Sequence, residues 1–366
     1  YLISRFSYKI IIKEIYDQTM NNQYFMFKEL SEVPSLIRQN LDCFEKNTFF
    51  SPDFNSNINH IKFIASGSSN NVALAGKYLF EELCNIETSL DFSSEFVAKK
   101  GAIKDDTLAI CISQSGKTAD TLSALNKIKQ ISKSHILAIT NIKDSPIFNE
   151  ADSNVLIGAG EEKAIPATKT FSLQLLALFN IALKISSKHN SQNNIYNDLN
   201  SLPELLNSIF ILEPKINEVT EKLFNNDHLT ILSNGINFAI SKEGALKFKE
   251  TSYIDSNGYP VGEFMHGYMA LLDKKKSVLV LDYDTNPQLK ENILKLKEKS
   301  EASIFALTMN SETIELYDDH ILLPSTKTEL VSSFIFASCL QLMAFYGACI
   351  LGYNPDKPRG LTKYLN

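Results

Sequence analysis

From Ile61 onward, short apolar runs alternate with longer stretches of helical period. Ile61–Ala65, Leu108–Ile112, His135–Thr140 and Asn154–Ile157 have the length of buried strands, and helical spacing predicts helices over Asn71–Leu83, Thr118–Ile131 and Thr168–Ser187. The pattern then repeats. Strands are predicted at Leu229–Leu232, Ser277–Leu281, Ser303–Leu307 and Ile321–Leu323, with a turn at Gly235 and helices over Ala239–Tyr253, Gln288–Lys299 and Glu329–Gly352. Strands alternating with helices imply parallel sheets covered on both faces. The predicted class is therefore α/β, in two copies of one layered design.

Ahead of the alternation, Phe27, Leu30, Val33, Ile37 and Leu41 form a helical stripe, and Pro34 obscures where that helix starts. Residues 1–25 show no clear pattern, and Asn47–His60 reads as a polar loop. The Asn-rich stretch Lys188–Asn200 reads as an inter-domain linker, followed by a helix over Leu202–Asn225. The expected partition is 1–45 as an N-terminal linker and helix, 46–190 as a first domain, 201–350 as a second, and 351–366 as a tail without helical period.

Composition narrows the function classes. With 366 residues, 44% hydrophobic, the chain can bury two cores. A net charge of −6 argues against a nucleic-acid partner, so any anion must be held by local groups. Phe334–Tyr353 is long and apolar enough for a membrane span. Ser338 and Gln341 interrupt it and no basic flank follows, so it reads as a buried helix and no membrane partner is expected. Cys43, Cys84, Cys111, Cys339 and Cys349 lack CxxC pairing and read as reduced core thiols of a cytoplasmic protein. No His/Cys spacing implies a metal, no cofactor motif is present, and no signal peptide is seen. The chain starts at Tyr1 rather than Met, which leaves room for a preceding domain.

Two segments carry candidate chemistry. Ser113-Gln114-Ser115-Gly116-Lys117-Thr118 follows a buried strand and opens a helix. Helix N-termini offer unpaired N–H groups and partial positive charge, so this turn suits a phosphate, although N-capping by Ser115 or Thr118 explains the same residues. Gly67-Ser68-Ser69-Asn70 is a second turn of this kind. Farther on, Glu243, Lys247 and Glu250 share one helical face. That spacing fits an exposed salt-bridged stripe, or a proton-transferring carboxylate if the aromatic sequel Tyr253–Phe264 buries it. His266 precedes a glycine, and a lone histidine is most often structural. Lys363 in the tail reads as a surface lysine unless a pocket desolvates it for imine formation.

Together these segments resemble the sugar isomerase (SIS) domain family, most closely its branch formed by the isomerase halves of glutamine-fructose-6-phosphate aminotransferases. The likeness rests on Ser-Gln-Ser-Gly-x-Thr-Ala-Asp-Thr at 113–121, Ala-Thr-Lys-Thr-Phe at 167–171, Glu-Gly-Ala-Leu-Lys-x-Lys-Glu at 243–250, Gly-Glu-x-x-His-Gly at 262–267 and Pro-Arg-x-Leu-x-Lys at 358–363. The resemblance implies two flavodoxin-like SIS domains and a homodimer. It implies that Ser68, Ser69, Ser113, Gln114, Ser115, Thr118 and the Ala167 position line a sugar-phosphate site. Glu250 would move a proton between C1 and C2, and Lys247 would steady it. His266 would assist ring opening in the neighbouring subunit, and Lys363 would form an imine with the keto sugar. The expected substrates are fructose 6-phosphate, or glucosamine 6-phosphate in reverse, with ammonia from a glutaminase domain not present in this chain. Lys117, Ala167, Met265, Tyr268 and Gly360 depart from the family pattern. A free-standing amino-sugar-phosphate deaminase or phosphosugar isomerase, and a non-catalytic sugar-phosphate-binding regulator, remain alternatives.

Overall fold

The computed structural model describes residues 23–44, 58–100, 102–186, 189–226, 228–284 and 287–363, so the expectations for residues 1–22 and for most of the 47–60 loop lie outside it. Its framework is two parallel sheets. The first contains β1 (His60–Ala65), β2 (Glu87–Phe92), β3 (Thr107–Ser113), β4 (His135–Thr140) and β5 (Ser153–Leu156), ordered β2-β1-β3-β4-β5. The second contains β6 (His228–Ser233), β7 (Asp255–Pro260), β8 (Lys276–Asp282), β9 (Ser303–Thr308) and β10 (Asp319–Leu322), ordered β7-β6-β8-β9-β10. The two orders are the same arrangement repeated.

Alternation along each central strand divides the side chains between two cores. In β3, Leu108, Ile110 and Ile112 enter the large central cluster, while Ala109 and Cys111 face the outer cluster with Phe96, Leu125 and Ile136. In β8, Leu279 and Leu281 point to the central cluster, and Val278 and Val280 to the outer one. Strands buried on both faces read as continuous apolar runs, which is why the sequence marks them so clearly.

Helices α1 (Phe25–Phe44), α2 (Gly67–Cys84), α3 (Ser93–Ala98), α4 (Ala119–Ile131), α5 (Pro146–Glu150) and α6 (Lys169–Ile185) belong to the first half. They are followed by α7 (His189–Ile211), α8 (Glu213–Leu223), α9 (Asn237–Ser252), α10 (Val261–Phe264), α11 (Pro287–Lys299) and α12 (Glu329–Ile350). The central cluster is shared by both halves. It runs from Met26 and Leu30 of α1 through Leu176 and Phe179 of α6 to Phe248 of α9 and Phe334 of α12. Helix α12 is long and apolar enough to cross a membrane, yet its side chains are packed inside the molecule. It crosses α9 closely: a Cβ at Gly244 would stand 2.7 Å from Leu340 Cδ1.

Three expectations are corrected. Lys188–Asn200 is not a linker, since α7 starts at His189 and buries Ile195, Leu199, Leu202, Leu206 and Ile209 along one stripe. Asn193, Asn194, Asn197 and Asn200, which obscured this stripe, are exposed, while Gln192 and Asp198 are buried, and Asp198 accepts the N–H groups of Lys327 and Thr328 ahead of α12. The helix expected over Leu202–Asn225 is interrupted at Leu212, just before Pro214. Strands β2 and β7 were not expected, because they are edge strands with few buried residues and polar sequences.

The tail closes on the start of the chain's first described helix. Asp356 accepts the N–H groups of Phe25 at 2.8 Å and Met26 at 2.7 Å, capping α1 from 330 residues away. Asp356→Ala should therefore cost about 1–2 kcal/mol, read as a lower Tm, with Asp356→Asn losing less. An unchanged Tm in Asp356→Ala would contradict this assignment.

Candidate functional site

The phosphate-type turn follows from where β3 ends. Ser113 closes the strand and α4 opens at Ala119, with no side chain hydrogen-bonded across the helix start. The turn is folded on itself: Gly116 N–H donates to Ser113 Oγ, Lys117 N–H to Ser115 Oγ, and the Ser113 and Thr118 hydroxyls stand 2.8 Å apart. Gly116 takes φ +62°, and a Cβ there would lie 2.0 Å from Ser145 Oγ, so only glycine fits. The other turn is the first turn of α2, which starts at Gly67 rather than near Asn71 and also lacks a side-chain cap. Open N–H groups at two helix starts beside one sheet edge make an anion-binding locus.

These turns face one cavity of about 160 Å³. Ser68, Ser69, Ser113, Gln114, Ser115 and Thr118 line it, together with Ala167, Glu250 and Lys363. Residues from β3, the start of α2, the loop before α6, helix α9 and the tail thus meet at one place.

The α9 face is buried, which excludes an exposed salt-bridged stripe. Lys247 has 0% side-chain exposure and Glu243 1%, while Glu250 keeps 19% toward the cavity. Lys247 Nζ donates to Glu250 Oε2 at 2.5 Å and to Ser68 Oγ at 3.1 Å, and stands 3.4 Å from Glu243 Oε1. Asn71 of α2 donates to Glu243 Oε2 at 2.8 Å. Burial pushes the Glu243 carboxyl up, and Lys247 only partly offsets this. For Lys247, burial would lower the ammonium's pKa, but Glu243 and Glu250 outweigh it and hold the pKa above the ordinary lysine range. Lys247 is therefore a fixed cation joining the proton-transfer candidate Glu250 to the Ser68 turn.

The tail brings Lys363 to the cavity through three anchors. Asp356 holds α1, and Arg359 lies over the Tyr253 ring at 4.1 Å while its N–H donates to Tyr253 Oη. Lys363 Nζ donates to Glu162 Oε2 at 2.8 Å and to the Ala164 carbonyl. Glu162 also lines the cavity and was missed in the sequence. Its partners are backbone groups six and eight residues on and a lysine 201 residues away, so no local pattern marks it. Glu29 of α1 supports the same loop by accepting the N–H groups of Lys163 and Ala164.

Some predicted residues stand elsewhere. His266 is exposed in the turn after α10 and does not line this cavity in its own chain. Met265 packs against the outer core of the second half, whereas Tyr268 is exposed, its ring 4.4 Å from that of Tyr259. Lys117 is exposed and does not line the cavity. In the second sheet the central strand β8 ends at buried Asp282, whose Oδ2 accepts hydroxyls from Thr308, Thr313 and Tyr317. Among the described residues, no group of three His, Cys, Asp or Glu side chains is placed to hold a metal.

Comparison with known proteins points the same way. A family model for the SIS domain matches residues 56–183 and 222–351. The chain is 33% identical over 97% of its length to a glutamine–fructose-6-phosphate aminotransferase (isomerizing) of Buchnera aphidicola, and covers 61% of that protein. It is 34% identical over 93% of its length to the protein of the same name from Methanosarcina acetivorans, covering 58% of it. The chain thus spans about three fifths of the length of these curated relatives. The C-terminal domain of the glucosamine-fructose-6-phosphate aminotransferase of Francisella tularensis superposes with a TM-score of 0.85 at 26% identity, over 92% of this chain and 98% of that one.

The loop beneath Lys363 carries a pH signature. Burial pushes the Glu29 carboxyl from 4.5 up to about 7. A raised carboxyl keeps its proton in the folded state where the unfolded chain has lost it. Stability from this group is thus full below pH 4.5 and falls as pH rises to about 7, by roughly 3 kcal/mol. The Tm of the native chain minus that of Glu29→Gln should decrease across this window. Parallel Tm profiles would contradict the assignment.

Proposed function

The chain belongs to the SIS domain family, and on that premise we propose that it converts fructose 6-phosphate and ammonia to glucosamine 6-phosphate, as the isomerase half of a glutamine-dependent synthase. One observation carries the proposal. A single cavity combines two open helix starts, a buried Lys247–Glu250 pair and a tail lysine.

In this reading the phosphate sits on the Ser113–Thr118 turn and Ser69, held by N–H and hydroxyl groups that need no net positive charge on the chain. Lys363 forms an imine at the C2 carbonyl with loss of water, and ammonia displaces the lysine. Glu250 then takes a proton from C1 and returns it to C2 while the C1 hydroxyl proton passes to the C2 nitrogen, so the C2 imine becomes an amine and C1 becomes an aldehyde. Lys247 keeps Glu250 in place through the hydrogen bond from its ammonium to Glu250 Oε2. We further place His266 in the site of a second copy of the chain, where it assists ring opening. Its exposure on its own chain supports that role.

The test runs the reaction backward. Purified chain given glucosamine 6-phosphate should release fructose 6-phosphate and ammonia in equal amounts. Glu250→Gln should still bind the sugar phosphate but lose turnover by about 10²–10⁴-fold. Undiminished turnover in that variant would remove Glu250 from the reaction. Fructose/glucose 6-phosphate interchange without ammonia would instead favour a plain isomerase.

A further inference from the structure

We infer that Glu162 is a positioning residue that docks the Lys363 amine at the cavity, an inference that rests on the imine role proposed above. Glu162 has no exposed side-chain surface, and all its partners are donors. Oε1 accepts the N–H groups of Thr168 at 2.9 Å and Thr170 at 3.2 Å; Oε2 accepts Thr170 Oγ1 at 2.8 Å and Lys363 Nζ at 2.8 Å. Thr168 and Thr170 stand at the start of the 17-residue helix α6, whose positive end favours a carboxylate there. A buried carboxylate so oriented is rigid, because turning it would break helix-start bonds that nothing else in the turn supplies.

The rigidity passes to the lysine. Lys363 lies in a tail without regular structure and retains 16% side-chain exposure, so its four-carbon stem would otherwise sample many rotamers. Two of its three ammonium hydrogens are committed, one to Glu162 Oε2 and one to the Ala164 carbonyl. That leaves one for the cavity, which Lys363, Glu162 and Glu250 all line. The Ala164 acceptor is itself held, since Glu29 accepts the two consecutive N–H groups just before it, those of Lys163 and Ala164. The step this arrangement serves balances without an oxidant or reductant. The ammonium and the C2 carbonyl give a protonated imine and water, two of the three nitrogen hydrogens leaving with the carbonyl oxygen.

The experiment compares the native chain with Glu162→Gln and Glu162→Asp in two readouts. The first is labelling of Lys363 by an amine-acylating reagent, followed by peptide mass spectrometry without substrate. The second is borohydride trapping of fructose 6-phosphate on Lys363. Glu162→Gln keeps an oxygen for the helix N–H groups and loses the charge that holds the ammonium. It should label Lys363 at least about tenfold faster and trap at least about tenfold less sugar, with KM for the sugar phosphate little changed while kcat falls. Glu162→Asp keeps the charge on a shorter arm and should fall between the two, which also covers the case in which the amide variant fails to fold. Labelling and trapping equal to the native chain in a folded variant would overturn the inference. Faster labelling in Glu162→Gln, combined with no trapping even in the native chain, would uphold the docking and sink the imine role instead.

Discussion

A lysine ammonium with no access to water is the constraint on which the rest of this structure turns. Lys247 cannot be solvated, so it must be neutralised in place, and Glu243 and Glu250 one turn to either side do so. The set also spans the two halves of the chain. Asn71 and Ser68 of α2 reach across to Glu243 and Lys247 of α9. Breaking a buried ionic set by removing one member costs roughly 3–5 kcal/mol, far more than a surface pair contributes. The same bonds that hold the halves together thus fix Glu250 beside the Ser68 turn at the cavity.

A second tie runs through the chain's ends. Asp356 caps α1, Glu29 of α1 braces the loop at Lys163 and Ala164, and that loop holds Lys363. Arg359 meanwhile fastens the tail to Tyr253, the residue at which α9 terminates in a left-handed turn. Helix α1, the loop before α6 and the end of α9 therefore converge on the tail lysine. Whatever moves α1 bears on Lys363 through two short steps, which couples the placement of the amine to the packing of the N-terminal helix.

The sequence disclosed what depends on local periodicity. β3 and β8 are buried on both faces, so their apolar runs stand out, and α9 shows its polar face at i, i+4, i+7. The serine-rich turn was legible because chemistry and position coincide at the end of a strand. Edge strand β7, with Asp255, Ser256, Asn257 and Gly258, has the composition of a turn and becomes a strand only by pairing with β6. Spacing could not decide whether Lys247 is buried or exposed, since both cases share one pattern and only the packing of α9 against α2 and α12 separates them. Glu162 was invisible for a related reason: its meaning lies in a lysine 201 residues away.

The proposed reaction requires one cavity to hold the phosphate at the Ser113–Thr118 turn and to present C1 and C2 to Glu250. A crystal structure of this chain with fructose 6-phosphate tests it most directly. The phosphate is expected on that turn, the C2 carbon within bonding reach of Lys363 Nζ, and a Glu250 carboxylate oxygen about 3 Å from C1 or C2. A phosphate bound elsewhere, or a sugar whose C1 and C2 lie away from Glu250, would contradict it.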